Sequence, residues 1–207
     1  PLFGQHIASI VDARQRHLAP NGVLIPQQDR LWATVVTARH LYNDLIAAWQ
    51  SPYGLTMEAA KHHALNLWGG DDTDLFKPRH LLTEPSLWAT LDYATITNPT
   101  IKPPTIVQTA VSNSIAHGIL IWFDADIADG ISFSNAPHID KIANVYGRAF
   151  FPLLNPVPIA KGDTIRLTIE AELIGDEYVW RWHTHISGAD GIKANFQQGM
   201  DYQPSIA

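Results

Sequence analysis

Short segments rich in β-branched and aromatic residues follow one another through the second half of this chain, and turn-forming residues separate them. The segments are 88–96, 106–110, 116–125, 146–151, 164–173 and 178–185. Between them lie Asn-Pro, Lys-Pro-Pro, Asp-Gly, Lys-Gly-Asp and Gly-Asp sequences, which favour turns. Many short strands at near-regular spacing are typical of a β-sandwich or a barrel. We therefore predict a mainly β, barrel-like antiparallel domain.

Helical patterns interrupt this β character at two places. Apolar residues recur at three- and four-residue spacing over residues 1–18, which predicts an N-terminal helix that ends at Ala19-Pro20-Asn21-Gly22. Short strands are predicted at 23–26 and 31–36. Residues 41–68 form a helical insertion with a break at Ser51-Pro52-Tyr53-Gly54. No repeat or linker divides the chain, so we expect residues 1–207 to form one domain.

Composition excludes several classes of protein. Apolar residues make up 46% of the chain and charged residues 16%, a mixture that builds a core rather than a disordered chain. With 14 Lys and Arg against 20 Asp and Glu, the net charge is −6, which argues against nucleic acid as a partner. The absence of cysteine excludes disulfides and thiolate chemistry. No apolar run of membrane-spanning length and no signal segment occurs, so we expect a soluble, cytoplasmic protein without a membrane partner.

Two histidines share a face of a predicted strand. His183 and His185 are two residues apart, which suits a zinc, iron or copper site. A mononuclear site needs a third ligand, and neither His62-His63 nor His117 has a spacing that identifies one. We therefore predict no metal site, with both imidazoles facing solvent or hydrogen-bonded locally.

Two tryptophans lie on the other face of the same strand. Trp180 and Trp182 could form a platform for a sugar or a base. The prediction that we favour places both in the core, together with large side chains from other strands.

Asp124 and Asp126 share a strand face near the Asp129-Gly130 turn. They could bind a cation or act as a carboxylate pair, but solvated strand-end acids are the favoured interpretation. The sequence contains no nucleotide-binding glycine loop, nucleophile elbow or His-Glu-x-x-His helix. We therefore predict no catalytic residue in this chain.

The order of elements resembles the region that follows the cofactor domain in protein arginine methyltransferases. An Ala-Arg helix that ends in Leu18-Ala19-Pro20-Asn21-Gly22 and runs into a strand after Pro26 matches that family. The insertion at 41–68, with its Tyr53-Gly54-Leu55 corner, resembles the family's helical dimerisation arm. The Ile131–Pro137, Tyr146–Phe151 and Pro158–Ile169 stretches also match, so the resemblance covers roughly residues 1 to 186.

The resemblance implies a C-terminal domain of a bacterial-type, S-adenosylmethionine-dependent methyltransferase. In the family an upstream domain binds the cofactor and carries two glutamates that hold the substrate guanidinium. We therefore expect no cofactor site in this chain, no activity from the chain alone, and S-adenosylmethionine together with an upstream cofactor domain in the intact protein. The resemblance also implies a homodimer, with the arm contacts at Leu45, Ile46, Trp49, Tyr53 and Leu55.

One departure from the family concerns the acceptor. The family's Thr-His-Trp loop aligns here with Ala143-Asn144-Val145, so Asn144 and Val145 are the candidate wall of the acceptor cleft. A neutral amide cannot supply an imidazole, and valine cannot stack on a guanidinium as an indole does. The sequence therefore does not identify the methyl acceptor, which is either a protein or a small molecule. The alternative functions are a stand-alone carbohydrate-binding β domain and, more distantly, a metal-dependent cupin-like enzyme.

Overall fold

Antiparallel strands predominate in the computed structural model, which describes residues 1–50, 52–71, 76–139 and 146–201. The described residues form three α-helices: α1 (His6–Arg16), α2 (Arg39–Ala47) and α3 (Glu58–Ala64). Their strands are β1 (Gln28–Val36), β2 (Gly69–Asp71), β3 (Ser86–Asp92), β4 (Ile106–Thr109), β5 (Ser114–Ala128), β6 (Ile131–Ser134), β7 (Arg148–Ile159), β8 (Thr164–Ile174), β9 (Glu177–Gly188) and β10 (Gly191–Gly199). Within these ranges, no helix has the length and apolar character needed to cross a bilayer.

The strands form two antiparallel sheets. The first has the order β2-β7-β5-β1-β3, with β6 paired to β5, and the second has the order β10-β9-β8-β4. The mainly β, antiparallel class and the N-terminal helix are therefore confirmed. Among the described strands, no continuous ladder joins the two sheets into a closed barrel.

Aromatic side chains fill the space between the two sheets. Trp88 from the first sheet lies with its ring centroid 5.5 Å from that of Trp180 in the second, and its Nε1 donates to the Ile169 carbonyl at 3.0 Å. Phe151 contacts both Trp180 and Trp182 at centroid distances of 5.1 and 5.2 Å. Both β9 tryptophans are buried, so the prediction that they belong to the core is confirmed.

The central strand β5 is buried on both faces, which explains its continuous apolar sequence. Ile119, Ile121 and Phe123 belong to the core between the sheets. Leu120 and Trp122, which alternate with them, belong to a second apolar cluster on the opposite face of the first sheet. Leu41 and Leu45 of α2, together with Phe76, pack on this second face.

Gly118 allows β5 and β7 to approach each other closely. A Cβ at this position would overlap the ring of Phe150 and the carbonyl oxygen of Phe151. Gly118 also lies at an irregularity in the β5–β7 pairing, between Ala116 and Gly118. The pairing skips one residue of β5, His117, and four residues of β7, 153–156, so most of the irregularity lies in β7 opposite His117.

The structure differs from the predicted elements mainly at their ends. Helix α1 begins at His6 rather than at the first residues of the chain, and the predicted strand at 23–26 is not a strand, since Pro26 has no N–H to pair and Val23 and Ile25 are exposed. Strands β2, β6 and β10 were not predicted. The arm also differs slightly, because its helices end at Ala47 and Ala64.

Candidate functional site

A largely apolar cleft of about 370 Å³ opens where the N-terminal residues meet the first sheet. Residues 1–3, β1, β2, β5, β7 and Trp180 of β9 contribute to its lining. Trp68, stacked on Phe151 at a centroid distance of 6.3 Å, and Tyr146 both line it. The cleft therefore offers mainly aromatic surface to a ligand.

Three aromatic rings build one corner of the cleft. Phe123 contacts Phe133 edge-on at 5.3 Å and Tyr146 edge-on at 5.7 Å, and the rings of Phe133 and Tyr146 lie 5.4 Å apart. These edge-to-face contacts hold Tyr146 in place although its side chain is partly exposed. The corner is thus a rigid surface at the start of β7.

A buried guanidinium and a buried amide fix the backbone around this corner. Arg148 donates from Nε to the Asn135 carbonyl at 2.6 Å and from Nη2 to the Ala136 carbonyl at 3.2 Å. The Asn135 side chain accepts from the Phe123 N–H at 2.9 Å and donates to the Gly147 carbonyl at 2.8 Å. Together the two side chains tie the end of β6 to β5 and β7. Unpaired backbone groups in this buried turn would otherwise be costly.

The charge of the cleft limits its chemistry. The Arg148 guanidinium is buried and bonded to backbone carbonyls, and the described lining residues include no carboxylate and no histidine. These residues can stack on a ligand and exclude water, but they cannot neutralise a cationic group or accept a proton at neutral pH. Any carboxylate that holds a guanidinium must come from elsewhere.

The predicted wall residues Asn144 and Val145 lie outside the described residues, as does Ala143. Tyr146 follows them directly and lines the cleft. The first described residue after this segment therefore lies at the cleft.

A glycine-rich turn that leads from a strand into an α-helix is the usual site for a nucleotide-type cofactor. In the described ranges, α2 is the α-helix that follows a strand, and the chain enters it through Thr37 and Ala38. These residues do not fit an S-adenosylmethionine site.

The helical insertion between β1 and β2 divides into an anchored part and a projecting part. Leu45 packs against the second apolar cluster, and Leu65 is buried. Ile46 and Trp49 are half-buried. In contrast, Tyr53 is fully exposed and Leu55 is 59% exposed.

The corner of the insertion has an unusual backbone. Tyr53 has a φ of 58° and Gly54 a φ of 76°, in the left-handed region that side-chain-bearing residues rarely adopt. A bulky aromatic residue in this conformation costs of order 1 kcal/mol or more. The strained turn thus displays the Tyr53 ring at the apex, where it has no cover from the described part of its own chain.

The two histidines of β9 make a local contact instead of a cluster. His183 Nε2 and Asn195 Oδ1 of β10 are 2.6 Å apart, and both histidines are half-buried on the outer face of the second sheet. Within the described ranges, no three His, Asp or Glu side chains are grouped so as to hold a metal ion.

The β5 carboxylates have partners on β1, which neither interpretation from the sequence included. Asp124 accepts from Trp32 Nε1 at 2.7 Å, and Asp126 forms an ion pair with Arg30 at 3.0 Å. These bonds cross the β1–β5 ladder. Both carboxylates therefore serve to join two strands.

Sequence analysis missed Arg148, Asn135 and His117, which are all buried. A signal was present for Arg148, because a lone cation precedes the apolar run of β7 and must find oxygen acceptors if the strand is central. No comparable signal marked Asn135 or His117. Asn135 bonds to backbone groups of two other segments, and His117 Nδ1 lies between the Ile115 carbonyl and the Ala38 N–H.

Comparison with known proteins gives a consistent result. The sequence model of a family described as "Arginine methyltransferase oligomerization subdomain" matches residues 27–176. A probable protein arginine N-methyltransferase 6.2 from Oryza sativa subsp. indica is 27% identical over 128 residues, which cover 60% of this chain and 32% of that protein. An arginine N(omega)-methyltransferase from Streptomyces achromogenes subsp. streptozoticus is 26% identical over 174 residues, covering 81% of this chain and 45% of the relative.

The fold agrees with these sequence relationships. A Trypanosoma brucei PRMT1 enzyme–prozyme heterotetrameric complex with AdoHcy contains a chain that matches with a TM-score of 0.80 at 14% identity, over 96% of this chain and 65% of that one. The chain spans about a third to a little under half of the two curated relatives. The family model covers well over half of the chain, from the residue before β1 to the turn between β8 and β9. The chain therefore belongs to the arginine methyltransferase oligomerisation subdomain family.

Proposed function

We propose that this chain is the oligomerisation and acceptor-positioning part of an S-adenosylmethionine-dependent methyltransferase. The observation that carries the proposal is the match to the oligomerisation subdomain, combined with an insertion whose apex exposes a tyrosine and a leucine. In this proposal the chain works beside a separate cofactor-binding domain of the intact protein and catalyses nothing alone.

The arm, defined as residues 41–68, is proposed to dimerise the protein through its apex. Tyr53 and Leu55 are the projecting residues, and burial of such side chains is worth roughly 1.5–3 kcal/mol each. Ile46 and Trp49, half-buried on the same insertion, are proposed to border the contact. Leu45 would act indirectly, because it already packs against its own sheet. A two-fold axis would make the contact mutual and double its worth.

The cleft is proposed to form one wall of the acceptor site. Its aromatic corner can hold a flat or apolar group against a cofactor domain, a contribution to positioning rather than to proton transfer. Asn144 and Val145 precede Tyr146 in the chain and are proposed to extend this wall. The described lining includes no carboxylate, and the proposal assigns recognition of a charged acceptor to groups outside this lining.

The oligomeric state of the intact methyltransferase tests the arm. We expect a dimer in sedimentation velocity, and a monomer for the Tyr53→Glu, Leu55→Glu double variant. Val107→Glu is the matched control, because Val107 is also exposed but lies on β4 of the second sheet. A wild-type monomer, or a double variant that dimerises as tightly as the Val107→Glu control, would show that the arm is not the dimer contact.

A further inference from the structure

His117 lies beneath the base of the arm. It is buried opposite the irregular stretch of β7, and its ring contacts Tyr42 of α2 edge-on at a centroid distance of 5.8 Å. Tyr42 is itself buried and donates its hydroxyl to the Leu154 carbonyl of β7 at 3.1 Å. The imidazole is thus enclosed between the first sheet and the first helix of the arm.

One nitrogen of this ring faces both a donor and an acceptor. His117 Nδ1 lies 3.3 Å from the Ala38 N–H and 3.0 Å from the Ile115 carbonyl oxygen, with the Thr37 hydroxyl at 3.5 Å. A ring nitrogen accepts when it is unprotonated and donates when it carries hydrogen, so Nδ1 cannot satisfy Ala38 and Ile115 at the same time. Two arrangements of hydrogen bonds therefore compete at this point.

The neutral ring with its hydrogen on Nε2 favours a docked arm. In that form Nδ1 accepts from the N–H of Ala38, the residue immediately before α2, where no side chain caps the helix. The first N–H groups of a helix lack partners within the helix, so an acceptor there stabilises the helix start. The Ala38 carbonyl in turn accepts from Tyr42 N at 2.9 Å, which continues the helix.

The imidazolium disfavours the same arrangement. Its Nδ1 hydrogen binds the Ile115 carbonyl, and the Ala38 N–H loses its acceptor. The new charge also lies beside the positive end of the α2 dipole and near Arg39. Both effects weaken the attachment of α2 to the sheet.

The groups that face His117 determine the pH at which its ring becomes protonated. Burial lowers the pKa of His117, the Ile115 carbonyl raises it, and Arg39 lowers it further. Tyr42 stays a neutral donor, because burial raises its pKa to about 12. On the side of the 78–80 turn, the His80 carbonyl accepts from Thr37 N at 2.9 Å.

The β7 side adds no titratable group at this point. The residues of β7 that pair on either side of His117 are Val157 and Pro152, and the residues 153–156 between them are Leu, Leu, Asn and Pro, none of which titrates. Burial, the Ile115 carbonyl and Arg39 together keep the pKa of His117 below its ordinary value, so the neutral ring predominates at pH 7.

We propose that His117 is a proton-sensitive latch: the neutral ring fastens the first helix of the arm to the sheet, and the protonated ring releases it. The latch itself is independent of oligomerisation. Its consequence for dimerisation rests on the proposed function of the arm.

Nuclear magnetic resonance of the ¹⁵N-labelled chain tests the latch directly. We expect the Nδ1 resonance of His117 to show an unprotonated acceptor at pH 7, and to titrate with a midpoint below 6.5. The amide resonances of Ala38 and Arg39 should move with the same midpoint. An Nδ1 that carries hydrogen at pH 7, or amides that do not follow the ring, would overturn the proposal.

Variants separate the latch from general acid effects. His117→Asn places an amide oxygen near the position of Nδ1 and cannot titrate, so the Ala38 shift should become independent of pH between about 7 and 5. His183→Asn, on the outer face of the second sheet, should leave the Ala38 titration unchanged. An Ala38 titration that persists in His117→Asn would refute the latch. If Ala38 titrates but dimerisation does not change with pH, the latch stands and its consequence for dimerisation fails, whereas the Tyr53→Glu, Leu55→Glu variant tests the arm separately.

Discussion

At the scale of single residues, the pair of Asp29 and Tyr93 shows how a buried carboxyl depends on one donor. Both side chains are buried, and the Tyr93 hydroxyl donates to Asp29 Oδ2 at 2.5 Å. The other oxygen, Oδ1, has no hydrogen-bond partner in the described part of the chain. Burial raises the pKa of Asp29, and the bond from Tyr93 opposes that rise. Burial together with the carboxylate keeps the pKa of Tyr93 far above neutrality, so the phenol remains a donor.

We expect Tyr93→Phe to lower the free energy of unfolding by about 1–3 kcal/mol at pH 7, because it leaves a buried carboxylate without a donor. Urea denaturation followed by fluorescence measures this change. Without the hydroxyl, the pKa of Asp29 in the folded state rises further above its unfolded value. The loss should therefore shrink as the pH falls and the buried carboxyl takes up a proton.

Tyr178→Phe is the matched control for this substitution. The Tyr178 hydroxyl donates to the Pro99 carbonyl at 2.9 Å in a partly exposed site, so its removal should cost only about 0.5–1.5 kcal/mol. Equal losses in the two variants, or a Tyr93→Phe protein as stable as the wild type, would contradict the account of Asp29.

The alternation of residues along a strand predicted which side chains are buried. It did not predict which side chains of a neighbouring strand they contact. The alternation along β9 was enough to place Trp180 and Trp182 in the core. The partners of Asp124 and Asp126 could not be predicted, because Trp32 and Arg30 reach them only through the β1–β5 register. The sequence of one segment therefore does not predict a side-chain contact that depends on a distant second segment.

At the scale of elements, long apolar strands were predictable and short or polar ones were not. The prediction at 116–125 found most of β5, because burial on both faces gives a continuous apolar run. Strand β2 is Gly-Gly-Asp, and β10 is exposed over much of its length. These strands form because a neighbour offers a free edge, which is a tertiary effect.

The end of the arm is tied to β10 by a buried amide. Asn66 Oδ1 accepts from Gly199 N at 3.0 Å, and its Nδ2 donates to the His62 carbonyl at 2.9 Å. Next to it, Gln198 Nε2 donates to the Leu65 carbonyl at 2.6 Å. The arm and the last described strand therefore stabilise each other.

Asn66→Ala should remove this connection and cost about 1–3 kcal/mol, since the buried Gly199 N–H loses its acceptor. Hydrogen exchange should show faster exchange at the Gly199 amide, and denaturation should give the loss of stability. Asn113→Ala removes a comparable bond, to Lys161 N at 2.8 Å in an exposed turn, and should cost less than about 1 kcal/mol. An unchanged Gly199 amide in Asn66→Ala would rule out the connection.

At the scale of the whole molecule, the order of helix, strand, helical insertion and further strands indicated the family of the chain better than any single motif. It placed the chain in its family, whereas the arrangement into two sheets emerged only from the strand pairing. Pairing between β5 and β7, or between β9 and β10, is invisible to a pattern within one strand. The cleft shares this property, because five strands and the N-terminal residues contribute to it.

The 207-residue chain alone is expected not to bind S-adenosylmethionine. Its described cleft lacks a carboxylate, and α2 is entered without a glycine-rich turn, so neither fits the cofactor. Isothermal titration calorimetry should detect no binding in the micromolar range, and an arginine methyltransferase with its cofactor domain provides the positive control. A micromolar dissociation constant for this chain would show that the cofactor site lies within it.

The indole rings of Trp88 and Trp180 give the molecule an optical property. One ring belongs to each sheet and their centroids are 5.5 Å apart, close enough for the electronic transitions of the two chromophores to couple. The near-ultraviolet circular dichroism of the chain therefore carries a signal that depends on the spacing of the two sheets. That signal would vanish if the two sheets separated, even if the strands within each sheet stayed paired. Circular dichroism therefore distinguishes loss of packing between the sheets from loss of secondary structure.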